Sequence, residues 1–435
     1  MKVTILSNEL IVPYTPTPNN LKTYKFSFID QHIPPYYIPL ILYYSYDQYS
    51  TTTTQSQITI KLKTSLSKTL THFYPLAGRL ANNRNTVDCN DQGVQFSVAR
   101  VESNLLDVVE SPVIKELNKL VKVETSYVEE QLAIQVSLFE CGGIAVGVSM
   151  SHRIGDACSI SSFVSHWFAL AKESETLLSG PVLDSSVLFP PMESCEFTRN
   201  PKDPTVPVPF ETLVTKRFVF SSLAIKELKQ KVVNDHNMTL VGFNPTRVEV
   251  VTALIWKCGT MALGDECKNS VAFHSINFRR KMIPSLQDHQ FGNLFQLANA
   301  VTHPSTNLAT RVMKLRDSFR KIDRVYLKSL TGEKGFEVAK GNFKELKKFV
   351  TQEGVGVFKF GSWCGFAFSQ SDFGWGKAVW VSSANFSDEN SIVLMDSRKD
   401  DGIEAWVVMN QANMHKFEEN VELQEFVGSK HKFVS

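Results

Sequence analysis

The chain has 435 residues, 43% of them hydrophobic and 21% charged, with a formal net charge of +2. The near balance of 46 basic and 44 acidic side chains leaves no electrostatic footprint for nucleic acid or an anionic membrane as partner. The length exceeds one ordinary hydrophobic core, so roughly two domains are expected. The seven cysteines, odd in number and without a CxxC pair, argue against a disulfide framework or a structural zinc site and fit a reducing compartment.

In chain order, the opening MKVTILSNELIVPYTPTP lacks the long apolar segment of a signal peptide. No apolar run approaches the ~18 residues of a membrane helix, and the closing GSKHKFVS is no lipidation signal. A cytosolic protein is expected. PYTPTPNN cannot be regular helix, because its prolines lack N–H donors. Ile58, Leu62, Leu66, Leu70 and Phe73 recur at helical spacing and predict a helix over 58–73, ended by Pro75 and Gly78 of YPLAGR. VDCNDQGVQF (87–96) reads as a strand, a turn from Asn90 to Gly93 and a second strand. Leu132, Ile134, Val136 and Leu138 alternate, as do Ile144, Val146, Val148 and Met150 across the turn at 141–143, which predicts a buried hairpin. Beyond SHRIGD (151–156) the period changes: Ile160, Phe163, Trp167 and Leu170 share one helical face. SHRIGD therefore lies at a strand-to-helix junction.

Periodicity is lost over 176–215, where NPKDPTVPVPFE (200–211) carries four prolines and reads as an extended linker. The expected division is 1–195, a connection over 196–215, and 216–435. KRFVF (216–220) reads as a strand and 222–233 as a helix. Thr246 and Glu249 match a capping box, followed by an apolar face through Val248, Val251, Leu254, Ile255, Cys258 and Met261. Strands are expected around 356–368, 378–383, 392–396 and 403–409, and a final helix from about 410 to 426. The order predicts mixed α/β layers, twice over.

His152 and Asp156 are four residues apart, a spacing that ten histidines produce by chance often enough to carry little weight alone. Position says more, since a strand end opening into a helix presents a side chain at a domain edge. Two readings stand at this point: a catalytic histidine, or a hydrogen-bonded half-buried one. Rival chemistries lack their signatures. There is no HExxH, no GxxxxGK[ST] and no GxGxxG opening a helix. GVSMS (147–151) has serine where a nucleophile elbow needs its second glycine. Cys158 reads as a small core residue of the helix. A histidine titrating near neutrality remains, able to take a proton from an alcohol that attacks an activated acyl donor. DFGWG (372–376) brackets Trp375 with two glycines, the makings of a tight turn pinned by an indole, with Asp372 as loop anchor.

SHRIGD and DFGWG together resemble the HxxxD and DFGWG motifs of the plant BAHD acyltransferases. YPLAGR, VDCNDQGV, FECGG (139–143), NFRRKM (277–282), GN (292–293), SWC (362–364) and DGIEAW (401–406) are also similar to family blocks, so the resemblance runs along essentially the whole chain. It is strongest to the branch that includes alkaloid and volatile-ester alcohol acetyltransferases. The resemblance implies two chloramphenicol-acetyltransferase-like domains, each a mixed sheet with helices, joined by a crossover loop, with a solvent channel between them. It makes His152 the general base, acyl-CoA (acetyl-CoA favoured) the co-substrate, and a hydroxyl of a plant specialised metabolite, such as an alkaloid, the acceptor. No acyl-enzyme, metal, permanent cofactor, nucleic acid or membrane is implied, and a monomer is. Asp156 then supports the base by pairing with an arginine, for which Arg279 is the match; a solvated place in the RRK cluster is the alternative. Phe373, Gly374, Trp375 and Gly376 are structural with Asp372. Trp363 is a donor to the developing oxyanion or plain core, in a Gly361–Ser362–Trp363 segment where the family has Thr-Ser-Trp. Thr246 and Arg247 are CoA-phosphate contacts, or Thr246 simply caps its helix. Other acyl donors, volatile-ester formation, N-acylation and a silent ligand-binding paralogue are the alternatives.

Overall fold

The structure is a computed structural model. It describes residues 1–45, 54–123, 128–173, 179–192, 213–234, 243–384 and 388–427. The first half contributes strands β1 (Lys2–Ile11), β2 (Thr23–Lys25), β3 (Tyr37–Tyr44), β4 (Arg79–Leu80), β5 (Thr86–Asp88), β6 (Val94–Glu102), β7 (Leu132–Phe139) and β8 (Ile144–Ser151). The second contributes β9 (Leu213–Phe220), β10 (Asn269–Asn277), β11 (Phe295–Thr302), β12 (Val355–Ser362), β13 (Trp380–Ser382), β14 (Ser391–Asp396) and β15 (Ile403–Asn410).

Two six-stranded mixed sheets result, ordered β1-β6-β7-β8-β3-β13 and β11-β10-β12-β14-β15-β9, with a small third sheet β2-β5-β4. In the first, β3, β7 and β8 are buried along their whole lengths, which explains their near-continuous apolar runs. Helices Gln55–His72 and Ala157–Ala171 cover this sheet and are tied together by the Trp167 indole N–H, which donates to Ser65 Oγ at 3.0 Å. In the second, helices Ser222–Asn234, Arg247–Leu263 and Leu308–Lys321 contribute Leu228, Val251, Leu254, Trp256 and Leu315 to a separate core. Strand β13 comes from the second half of the chain yet pairs with β3 of the first, Trp380 opposite Tyr43, and carries Trp363, Phe373 and Trp375 into the first core. A further apolar cluster joins Phe28, Ile29 and Phe189 to Phe278, Met282 and Leu294, so both halves meet behind residues 27–36.

The mixed α/β class, the β7–β8 hairpin and the helix through Ile58 to Leu70 agree with the sequence reading. Four details differ. The strands of 87–96 do not pair with each other; β5 joins the small sheet and β6 the large one. The strand expected over 356–368 stops at Ser362, because Gly365 turns the chain at φ +83°. The final helix is two, Gln411–Glu418 and Val421–Val427, the second begun by Asn420, whose Oδ1 accepts from Leu423 N at 3.1 Å. Strand β1 was not foreseen: it is an edge strand with mostly exposed side chains, so burial imposes no alternation on it. The linker at 200–211 lies outside the described residues. Among those described, six cysteines are free thiols and no helix is long and apolar enough to cross a membrane.

Candidate active site

His152 directly follows β8. Its N–H donates to Tyr36 O at 2.8 Å, extending the β3–β8 pairing by one residue, and Ile154 N closes a turn onto Ser151 O at 3.1 Å. Gly155 is dictated by close approach, since a Cβ there would sit 2.7 Å from Ser159 Cβ. Asp156 then caps the helix Ala157–Ala171, its Oδ1 accepting from Ser159 N at 2.9 Å.

The Asp156 carboxylate turns to Arg279. Arg279 Nη1 donates to Oδ2 at 2.8 Å and Nη2 to Oδ1 at 3.0 Å, a two-bond fork, while Leu294 N is a second donor to Oδ2 at 3.0 Å. Arg279 is fully buried. Its Nε donates to Gln290 O and Nη2 to Gly292 O, so the guanidinium also fastens the connection between β10 and β11. Burial alone would raise the Asp156 carboxyl, but the Arg279 charge and hydrogen bonds, with the Ser159 and Leu294 amides, hold it below its ordinary value. Asp156 is therefore committed to Arg279 and is not an orienting partner for the imidazole. The solvated alternative for Arg279 does not apply.

The His152 ring is half-buried, edge-on to Tyr36 (centroids 5.7 Å) and tilted against Phe295 (6.1 Å). Nδ1 is buried with no hydrogen-bond partner of good geometry. Burial pushes the imidazole below its ordinary value, opposed by the carbonyls of His152 and Gly155 and by the Asp156 charge. A neutral ring at pH 7 follows, which is the form that accepts a proton.

The DFGWG turn is built as an anchor. Asp372 Oδ1 accepts from Gly374 N and Gly376 N, each at 2.9 Å, and Oδ2 pairs with Lys172 Nζ at 2.8 Å. Gly374 (φ +104°) and Gly376 (φ +109°) occupy backbone angles that only glycine adopts without strain. Phe373 packs edge-on against Trp167 at 4.9 Å, and Phe373 and Trp375 both contact Tyr44. Trp363 directly follows β12, its backbone N–H donating to Leu394 O at 2.7 Å, and lines a cavity of about 140 Å³ with Phe368, Trp380, Met395 and Arg398.

Thr246 caps the helix Arg247–Leu263 in a reciprocal box with Glu249, as its spacing predicted. Glu249 in turn pairs with Arg316. The Arg247 guanidinium faces its own chain's carboxylates, Asp396 Oδ1 at 2.6 Å and Asp401 Oδ1 at 3.1 Å.

Two residues at the site were not singled out from sequence. Asn293 is fully buried, and its Nδ2 donates to His152 O at 2.8 Å and Arg153 O at 3.2 Å. Asp30 Oδ1 accepts from Asn293 N at 2.8 Å and from Asn293 Nδ2 at 2.9 Å. The only sequence signals were the S-x-x-D spacing of Ser27 and Asp30, which forms a capping box, and the GN block that contains Asn293.

A family profile described as "Transferase family" matches residues 1–424. Stemmadenine O-acetyltransferase of Catharanthus roseus is 38% identical over 430 residues, covering 94% of each chain. Salutaridinol 7-O-acetyltransferase of Papaver somniferum is 34% identical over 464 residues, covering 96% of each. Vinorine synthase of Rauvolfia serpentina is 35% identical over 426 residues. A crystal structure of vinorine synthase superposes with a TM-score of 0.83 at 33% identity, over 98% of each chain, so the two sheet-bearing bodies are arranged as in that enzyme. With profile, relatives and fold in agreement, the chain belongs to the transferase family of BAHD acyltransferases and is itself an acyltransferase.

Proposed function

We propose that this enzyme transfers an acetyl group from acetyl-CoA to a hydroxyl of a plant specialised metabolite, with His152 as general base. The observation that carries the mechanism is the half-buried His152 ring, which burial pushes below its ordinary value, beside an Asp156 that pairs with Arg279. With the remaining proton on Nδ1, next to the carbonyls of His152 and Gly155, Nε2 holds the free lone pair. It removes the acceptor's hydroxyl proton as the oxygen attacks the thioester carbonyl. The tetrahedral intermediate collapses, the C–S bond breaks, and CoA leaves as a thiol with the proton returned by His152. Acceptor and acyl-CoA reach His152 along a channel between the two bodies, and the indole N–H of Trp363 serves the developing oxyanion. Thr246 and Arg247 are given no CoA contact in this reading, because the chain's own carboxylates already occupy both.

The substrate class rests on the relatives, which are named as plant O-acetyltransferases and include one for salutaridinol and one for stemmadenine. An alkaloid or terpenoid alcohol is accordingly the acceptor. Action as a cytosolic monomer belongs to the same reading. The test is CoA thiol release by purified protein from acetyl-CoA with a panel of alkaloid, terpenoid, benzyl and aliphatic alcohols. Acceptor-dependent release is expected, and His152→Ala should abolish it while keeping the native melting temperature. Equal release by both proteins would remove His152 from the mechanism.

A further inference from the structure

The His152 turn is held from two directions, and only one of them involves the HxxxD aspartate. Asp156–Arg279 fixes the helix that leaves the turn. The turn's own peptide groups are fixed by Asn293, whose single Nδ2 reaches the carbonyls of both His152 and Arg153. Asn293 comes from the second half of the chain, at the connection between β10 and β11, while His152 comes from the first.

Asn293 is itself gripped by Asp30, a fully buried carboxylate whose remaining donors are Ser27 N at 2.9 Å and Ser27 Oγ at 2.7 Å. Four N–H and O–H groups satisfy it. Arg153 closes the opposite side, its guanidinium donating to Ile33 O at 2.7 Å, Arg84 O at 2.9 Å and Gln31 O at 3.2 Å. Residues 27–36 thus form a cradle, completed by the Tyr36 carbonyl that receives His152 N–H.

We infer that Asn293, anchored by Asp30, is a positioning residue for the general base: a latch from the second body that sets the height of the His152 peptide, and through it the imidazole, alongside the Asp156–Arg279 pair, which holds Gly292 O and Leu294 N on either side of it. The inference rests on His152 being the base. The imidazole carries no good hydrogen bond on Nδ1, so where the ring sits follows from its backbone, whose carbonyl Asn293 holds. A misplacement on the order of 1 Å in such a group costs about a hundredfold in rate.

The test compares Asn293→Ala with Asn307→Ala, which removes the cap of the helix Leu308–Lys321 beyond the other end of β11, in a residue with no part in the site. Both should lower the melting temperature. Asn293→Ala should also lower kcat by about 10–100-fold with the KM for acetyl-CoA unchanged, whereas Asn307→Ala should keep the wild-type kcat. Asp30→Asn, which retains an oxygen for Asn293, should turn over at least about tenfold faster than Asp30→Ala. A wild-type kcat in Asn293→Ala, or equal rates for the two Asp30 variants, overturns the latch. Amide hydrogen exchange over residues 151–156 separates this failure from failure of the functional reading, since it needs no turnover. Faster exchange in Asn293→Ala than in Asn307→Ala supports the latch, and equal protection refutes it.

Discussion

Two motif aspartates, Asp156 and Asp372, each meet a cation and backbone amides, yet they sit in different physical regimes. Asp156 and Arg279 are nearly or completely removed from water and join the two halves of the molecule through a bidentate fork. Asp372 keeps about a fifth of its side chain exposed, and its partner Lys172 is 43% exposed. A buried pair is costly to break, because the surviving charge is left without solvent; a surface pair is screened and contributes little. The comparison teaches that the HxxxD aspartate acts as a rivet between bodies, whereas the DFGWG aspartate organises a local turn whose hold on the protein comes from Phe373 and Trp375.

The largest expected effect follows from the rivet. Asp156→Ala strands Arg279 and should destabilise the protein by about 3–5 kcal/mol, with loss of activity, as read by denaturant unfolding; an unchanged melting temperature would contradict the structural role. Asp372→Ala frees two glycine amides and should cost about 1–2 kcal/mol, with activity falling only as stability falls. A stable but inactive variant would instead place Asp372 in the chemistry. Acid sharpens the contrast. Both carboxyls are held below their ordinary values, so each contributes stability fully above the unfolded value near 3.9 and loses it as pH falls through the lower folded value. Burial pushes Asp30 the other way, up to about 6, so its ionisation subtracts stability as pH rises from about 4 towards 6. Asp30→Asn should therefore flatten the unfolding free energy between those values, while Asp156→Ala should remove the steep loss below them.

The candidate-site residues were legible early because their signals are local. SHRIGD follows a period-two run and precedes a period-3.6 run, which already places His152 at a junction. Glycines at 374 and 376 announce a turn for the same local reason, and the Thr246–Glu249 box is a four-residue event. Asn293 and Asp30 were not legible, because each works through partners more than a hundred residues away, and an asparagine after a glycine reads as an ordinary turn. Arg247 shows the converse. A basic residue at a helix start suggests an anion site from sequence, and the fold adds Asp396 and Asp401 beside it, which no local pattern announces.

By itself, then, the sequence determined the α/β class, the strand–turn–helix that carries His152, and the self-contained DFGWG turn, since periodicity, capping and glycine angles are set within a few residues. The tertiary structure decided that β13 crosses to the first sheet, that Arg279 is buried against Asp156, and that Asn293 reaches the His152 peptide. Those outcomes depend on which distant surfaces exclude water from one another, and no local pattern encodes that choice.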